Sequence, residues 1–467
     1  MLLTRLTDAL WNPWLLTLFL LTGLYFSVRT GFFQLFGLPV WLRATVGSIL
    51  RPTAGRTGRG ISQLQALCTA LASTIGTGSI AGVATAIWFG GPGAVFWMWI
   101  SALLGMMTGF AEKVLSVCYR RPDGSGGWMG GPMYYLRDGL GSQLLAVWFA
   151  ISCLGATLVG GNLVQSNSIA AALHAAFSWN QLAVGCVTAV AAGLVMVGGI
   201  GRIARISSML VPVMALLYLG GGGVVLAACA HRLPWVLHMI VSCAFCPQAV
   251  FGGGAGYTIA TAMRYGVARG VFTNEAGLGT SAMAHAAADV DCPAQQGMWG
   301  ILEIGVSTLM VCTVTALVIL VSGVYNPMSA AAGAPGAEEI GAPMTAAAFS
   351  SVMGPAGGAI VALSLLLFAF SSILGWSYYG GQCLSFLTGG QQGEKSYRVL
   401  FLLCTVLGSV WDGTRVWLLV DLFNALMAAP NLAAVLLLSG RSMAEWRSWM
   451  GGKGEKEKFR KKSKNFS

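Results

Sequence analysis

The densest polar run in this otherwise apolar chain is Ser73-Thr74-Ile75-Gly76-Thr77-Gly78-Ser79-Ile80-Ala81-Gly82. Glycines among hydroxyl residues weaken a helix. Unwinding at membrane depth would free N–H and C=O groups that hydrocarbon cannot satisfy, so protein, water or a ligand must. Two chemistries follow. N–H groups at a half-helix start, helped by its dipole, take an anion such as an amino acid's carboxylate. Freed carbonyls take a cation such as sodium. Close packing through small residues is the blander reading, but the run has a counterpart. In Thr273-Asn274-Glu275-Ala276-Gly277-Leu278-Gly279, Asn274 and Glu275 again stand beside glycines in an apolar stretch. A carboxylate at membrane depth is costly and by default functional. The competing reading is a cytoplasmic loop with Glu275 paired to Arg264 or Arg269.

Smaller constellations add candidates. Asn162, Gln165 and Ser166 form a polar stripe at helical spacing. Such a stripe either bonds a neighbouring helix or, through Gln165, faces a substrate; the two readings stand even. Ser371 and Ser372 can complete an oxygen shell for a hard cation, although serine in a membrane helix commonly bonds its own backbone. Trp376 can wall an apolar pocket or lie over an ammonium group. Glu112 with Lys113 reads as a cytoplasmic end pair; Glu303, Asp412 and Asp421 receive no role. The four histidines, 174, 231, 238 and 285, are dispersed and make no metal motif.

The elements that must position these residues follow from composition. Of 467 residues, 56% are hydrophobic and 9% charged, and 64 are glycine. A soluble body of this size would carry about a quarter charged residues, and such apolarity excludes disorder. The class expected is an all-α polytopic membrane protein. A crossing needs about 20 apolar residues, and about eleven runs qualify, near 10–28, 63–89, 94–118, 143–173, 180–200, 208–230, 247–288, 297–323, 346–387, 397–411 and 416–439. The first lacks a signal peptide's basic start and cleavage site, so it reads as a retained span. The seventh is interrupted twice, at Gly252–Gly256 and at Thr273–Gly279; the second adds polar side chains and is the expected break.

Net charge is +11. The basic residues sit in short loops and in a tail from Lys453 to Lys464, so they read as topology and lipid-headgroup signals rather than a nucleic-acid surface. Counting Lys113, 22 Lys and Arg fall on one side against Arg5, Arg232 and Arg415 on the other. That asymmetry puts the N-terminus outside and the C-terminus in the cytoplasm of a bacterial inner membrane. The eleven cysteines lack framework spacing and read as buried thiols; Cys243 and Cys246 form a lone CxxC read as packing. Spans two to six and seven to eleven make two groups of five, each headed by a glycine-broken span. Five is odd, so the second copy enters from the opposite face as an inverted repeat. The division expected is an extra N-terminal helix and basic loop at 1–62, a first repeat at 63–230, a second at 231–440 and a basic tail at 441–467.

Several stretches together resemble the alanine/glycine:cation symporters, also called sodium:alanine symporters. They are Ile75–Ile87 with Gly76-Thr77-Gly78-Ser79, Gly90–Trp99, Gly130-Gly131-Pro132-Met133-Tyr134-Tyr135, Arg269–Gly279 and Ile373–Gly380. The likeness spans about residues 5 to 450, and its motifs stand in family order. It implies the leucine-transporter architecture of a five-plus-five inverted repeat, and sodium- or proton-driven uptake of small amino acids. By resemblance, Gly76, Thr77, Gly78 and Ser79 form the broken-helix part of the substrate site. Gln165, Phe272, Thr273, Asn274 and Trp376 line the pocket. The carbonyls of Ala72 and Ile75, with Ser371 and Ser372, hold Na+. The chain departs from the family at Ser79, where asparagine is usual, at Gly127-Trp128-Met129, where Glu-Tyr precedes the Gly-Gly-Pro motif, and at Met283, where proline is common.

The expected function is a secondary active transporter, not an enzyme, importing alanine or glycine with a cation and using no cofactor. Its partners are the amino acid, the cation and the bilayer. The residues leave sodium against proton, the choice among small amino acids, D against L and the oligomeric state open. Two rivals are weaker. An intramembrane hydrolase would use Ser79, but no histidine stands as its partner, and Asp412 and Asp421 share one region. An ion channel would pass ions without substrate.

Overall fold

The computed structural model describes residues 10–11, 13–50, 60–124, 126–245, 258–325, 340–390, 393–411 and 413–464. Among these the protein is helical apart from an isolated bridge between Ile61 and Ala288 and one two-stranded pairing of Arg121–Pro122 with Trp128–Met129. Helix α1 runs Pro13–Arg29, α2 Gln63–Thr74, α3 Ala81–Gly90 and α4 Gly93–Cys118. Next come α5 (Gln143–Phe177), α6 (Gln181–Met196), α7 (Gly199–Ala228) and α8 (Leu233–Phe245). The second half holds α9 (Ile259–Asn274), α10 (Ser281–Ala286), α11 (Pro293–Ser322), α12 (Ala342–Met353), α13 (Pro355–Thr388), α14 (Glu394–Gly408), α15 (Gly413–Leu437) and α16 (Ser439–Lys464).

Helices α4, α5, α7, α11, α13 and the Val416–Leu437 part of α15 are long and apolar enough to cross a bilayer. Of the shorter helices, α1, α6 and α14 are continuous, at 17, 16 and 15 residues, and four others are pieces. α2 and α3 are one span interrupted at 75–80, and α9 and α10 are another interrupted at 275–280. Each of the eleven apolar runs therefore has its helix or helix pair. The loop expected after α1 holds three short helices, Phe33–Phe36, Leu38–Ala44 and Val46–Leu50, and two further details differ from expectation. The ninth run is two helices, because Gly354 at φ 60° breaks the chain between α12 and α13. Helix α8 was not foreseen; at 13 residues it is too short to span. The Gly252–Gly256 interruption and Cys246 lie outside the described residues.

Two groups of helices build the interior. α4 packs along α9 and α11, and α5 packs along α13 and α15. The first broken span lies between the groups, with α2 against α7 and α13 and α3 against α9. A capping box starts α2: the Ser62 hydroxyl accepts from Gln65 N at 3.2 Å, and Gln65 Oε1 accepts from Ser62 N at 3.0 Å. Such a cap satisfies two orphan donors, so the start of α2 is pinned while its other end is free to unwind.

Candidate functional site

The first break begins where Ile75 and Gly76 leave helical geometry (Gly76 φ −116°, ψ −153°). A single 3₁₀ turn, Thr77–Ser79, follows before α3 resumes. Glycine is required here by close approach. A Cβ on Gly76 would stand 2.6 Å from Ser372 Oγ, and one on Gly78 would stand 2.7 Å from the Phe272 ring and 3.2 Å from Thr273 Cγ2. The released groups find partners from other helices. Gln165 Oε1 accepts from Thr77 N at 3.3 Å, and the Thr315 hydroxyl donates to the Ser79 carbonyl at 2.8 Å.

The second break is the Thr273–Gly279 interruption. Helix α9 ends at Asn274; Glu275 takes the left-handed conformation (φ 54°), and Gly277 and Gly279 also have positive φ. A non-glycine residue there is uncommon. The Asn274 side chain supports the turn by accepting from Ala276 N at 3.0 Å. The two breaks meet through the contact of Gly78 with Phe272 and Thr273. Where they meet, polar atoms remain unpaired. Thr77 Oγ1 and Asn274 Nδ2 are buried without a hydrogen-bond partner, and the buried Ser79 hydroxyl stands beside the Cys312 thiol. Native interiors pair such atoms, so these point to a ligand.

The other expected residues have partners of their own. Trp376 is buried against Gly161 and meets Tyr379 edge-on, ring centroids 5.7 Å apart. Phe272 packs edge-on against Trp417 at 5.4 Å. The Ser371 hydroxyl donates to the Ala72 carbonyl at 3.2 Å and to Phe368 O at 2.9 Å; the Ser372 hydroxyl lies 3.0 Å from the same Ala72 carbonyl. Ala72, Ser371 and Ser372 thus gather at the end of α2, and Ile75 is buried one turn on.

The polar stripe on α5 divides between its two readings. Asn162 donates to Phe401 O at 2.5 Å and accepts from Thr405 at 2.8 Å, while Ser166 donates to Thr405 O at 2.5 Å. Those two bond α14. Gln165 turns to the first break instead. Asn162 and Ser166 stand four apart on one face of the helix, and Gln165 points about 100° round from Ser166.

Two expectations about charge are corrected. Glu112 and Lys113 are not a cytoplasmic end pair; both are wholly buried. Lys113 Nζ lies 3.2 Å from Glu303 Oε2 and donates to Ser281 Oγ at 2.7 Å. Glu112 Oε1 accepts from Gly277 N at 3.0 Å and from Asn431 Nδ2 at 2.6 Å, which anchors the second break to α15. Glu275 does not pair with Arg264 or Arg269. It accepts from the Thr280 hydroxyl, and Arg269 lies 3.6 Å from Asp421.

At one end, Arg120 donates to the carbonyls of Ala286, Ala288 and Val290 at 3.3, 2.6 and 2.6 Å, with Trp128 under its guanidinium at 4.3 Å. The Trp128 departure from the family pattern thus has a partner in the fold. Ile61 joins the same region, donating to Ala287 O at 3.0 Å and accepting from Asp289 N at 2.7 Å. On that side a cavity of about 360 Å³, lined by Asp123, Gly198, Tyr397 and Arg398, reaches Ser377 and Tyr378, next along α13 from Trp376.

Two interrupted helices meeting at buried polar groups inside a helical membrane body define a secondary transporter. The sequence profile of the sodium:alanine symporter family matches residues 1–464. The chain belongs to that family, whose members couple amino-acid movement to sodium. It is 41% identical over 454 residues to the sodium/alanine symporter AgcS of Methanococcus maripaludis, covering 96% of each chain. It is 37% identical to the probable sodium/glutamine symporter GlnT of Bacillus subtilis, covering 92% of this chain and 87% of that one. Among solved structures, the crystal structure of MhsT in complex with L-phenylalanine superposes with a TM-score of 0.61 at 13% identity, covering 83% of this chain and 92% of that one. That likeness bears on the fold alone.

Proposed function

We propose that this symporter imports alanine or glycine together with Na+ by alternating access, from a site at the junction of the two breaks. Gly76, Thr77, Gly78 and Ser79 present backbone groups and hydroxyls to the substrate. Gln165, Phe272, Thr273, Asn274 and Trp376 line it. The carbonyls of Ala72 and Ile75, with the hydroxyls of Ser371 and Ser372, take Na+. The observation that carries this reading is the pair of unpartnered buried atoms, Thr77 Oγ1 and Asn274 Nδ2, one at each break.

Cation binding at the end of α2 orders the first break and raises substrate affinity, a shift between pre-existing states. Residues 63–230 and 231–440 act as the two inverted repeats, flanked by 1–62 and 441–467. The protein lies in a bacterial inner membrane with its N-terminus outside and its C-terminus in the cytoplasm. Labelled-alanine uptake into proteoliposomes, with and without an imposed sodium gradient, tests the function. Accumulation should follow the gradient and be competed by glycine but not by phenylalanine; uptake indifferent to sodium would overturn it.

A further inference from the structure

The buried charges around the second broken span do more than the substrate site requires. Glu112, Glu275 and Glu303 set three carboxyls against one ammonium, Lys113, and each is 1% exposed or less. With all four ionised and His285 neutral, two negative charges would stay uncompensated out of reach of water, an expensive arrangement that binding a proton relieves.

His285, in α10, is built to take one. Its Nε2 lies 3.1 Å from Glu303 Oε2, and its Nδ1 lies 2.7 Å from Gln296 Nε2. Gln296 and Glu303 stand two turns apart on one face of α11. With the amide so placed, Nδ1 accepts and Nε2–H donates, which is the neutral ring. Gln296 Oε1 is buried and unpartnered. Half a turn of the amide sets that oxygen against Nδ1, where it accepts an N–H. Either protonation state is then hydrogen-bonded at both ring nitrogens without backbone movement, with one amide atom unpartnered in each.

We propose that His285, clasped between Gln296 and Glu303, is a proton-binding site that exchanges its proton during transport. The groups around it come from every packed element. Lys113 on α4 and Glu303 on α11 act on the ring directly; the elements packed against α10 also carry Glu112 on α4, Cys68 on α2 and Tyr379 on α13, with Glu275 in the break and Arg120 just past the end of α4. A route to the substrate site is short. Glu303 holds Lys113, Lys113 holds Ser281 beyond the break, and Glu112 next to it holds Gly277 within the break.

The inference rests on sodium-coupled alanine transport, and the test separates the two. Sodium-driven alanine uptake is measured in proteoliposomes from about pH 5 to about pH 8, the range over which histidine changes charge. Wild type should show a titration step, and His285→Gln should flatten it. Gln296→Glu, which fixes an acceptor opposite Nδ1, should move the midpoint up by about one pH unit or more. Flat wild-type uptake, a step that His285→Gln leaves in place, or an unmoved midpoint in Gln296→Glu overturns the proton site and leaves the transport reading standing. Absence of sodium-driven uptake at every pH overturns that reading and takes this inference with it. Should His285→Gln fail to fold, the midpoint of Gln296→Glu decides.

Discussion

The glycines at 76 and 78 are fixed by what touches them. A Val at 78 would drive its side chain into the Phe272 ring and Thr273, so Gly78→Val should abolish labelled-alanine uptake while the protein still reaches the membrane, as immunoblotting would show. Ser372 contributes one hydroxyl beside the Ala72 carbonyl. Losing it should cost roughly 1 kcal/mol, so Ser372→Ala should raise the half-saturating sodium concentration about fivefold, read from uptake against sodium. Much of this was legible from residue type: glycine among hydroxyls at membrane depth implies unwinding, and both breaks fall where the sequence puts them. The direction of a side chain was not. Gln165 and Ser166 are adjacent, yet one serves the break and the other the neighbouring helix, because successive helix positions point about 100° apart and residue type does not say which neighbour each face meets. His285 carried no sequence signal, since its partners come from a helix that follows it by a loop.

Among the elements, α4, α10 and α11 are held by charges that hydrophobic patterning could not place. Glu112 and Lys113 near the end of the run at 94–118 look solvated, whereas α9 and α11 pack along α4 and both are buried. Lys113→Met leaves Glu303 without its ammonium; breaking such a pair costs about 3–5 kcal/mol, and the apparent Tm in detergent should fall accordingly. Lys113→Met/Glu303→Met removes both charges and should recover part of the loss. A double variant no more stable than the single would show that the ion pair is not what holds these helices.

For the molecule as a whole, the side holding the basic loops also holds the Arg120 clasp and the 360 Å³ cavity. If that side is cytoplasmic, a green fluorescent protein fused after Ser467 should fluoresce in cells and an alkaline phosphatase fused there should be inactive; the reverse pattern would invert the topology. Arg120→Met frees three carbonyls at the end of α10 and should lower the rate of alanine exchange more than it lowers binding, checked by comparing counterflow with equilibrium binding.

The pairing of Ile61 with Ala287 and Asp289 stitches the entry of the first interrupted helix to the exit of the second. For either to swing away alone at that end, both hydrogen bonds must break, at about 1 kcal/mol each. A leak, in which sodium slips through while the amino acid stays behind, needs one of them to move alone. The stitch therefore favours a fixed stoichiometry, and a chain cut there should waste its ion gradient before it loses its appetite for substrate.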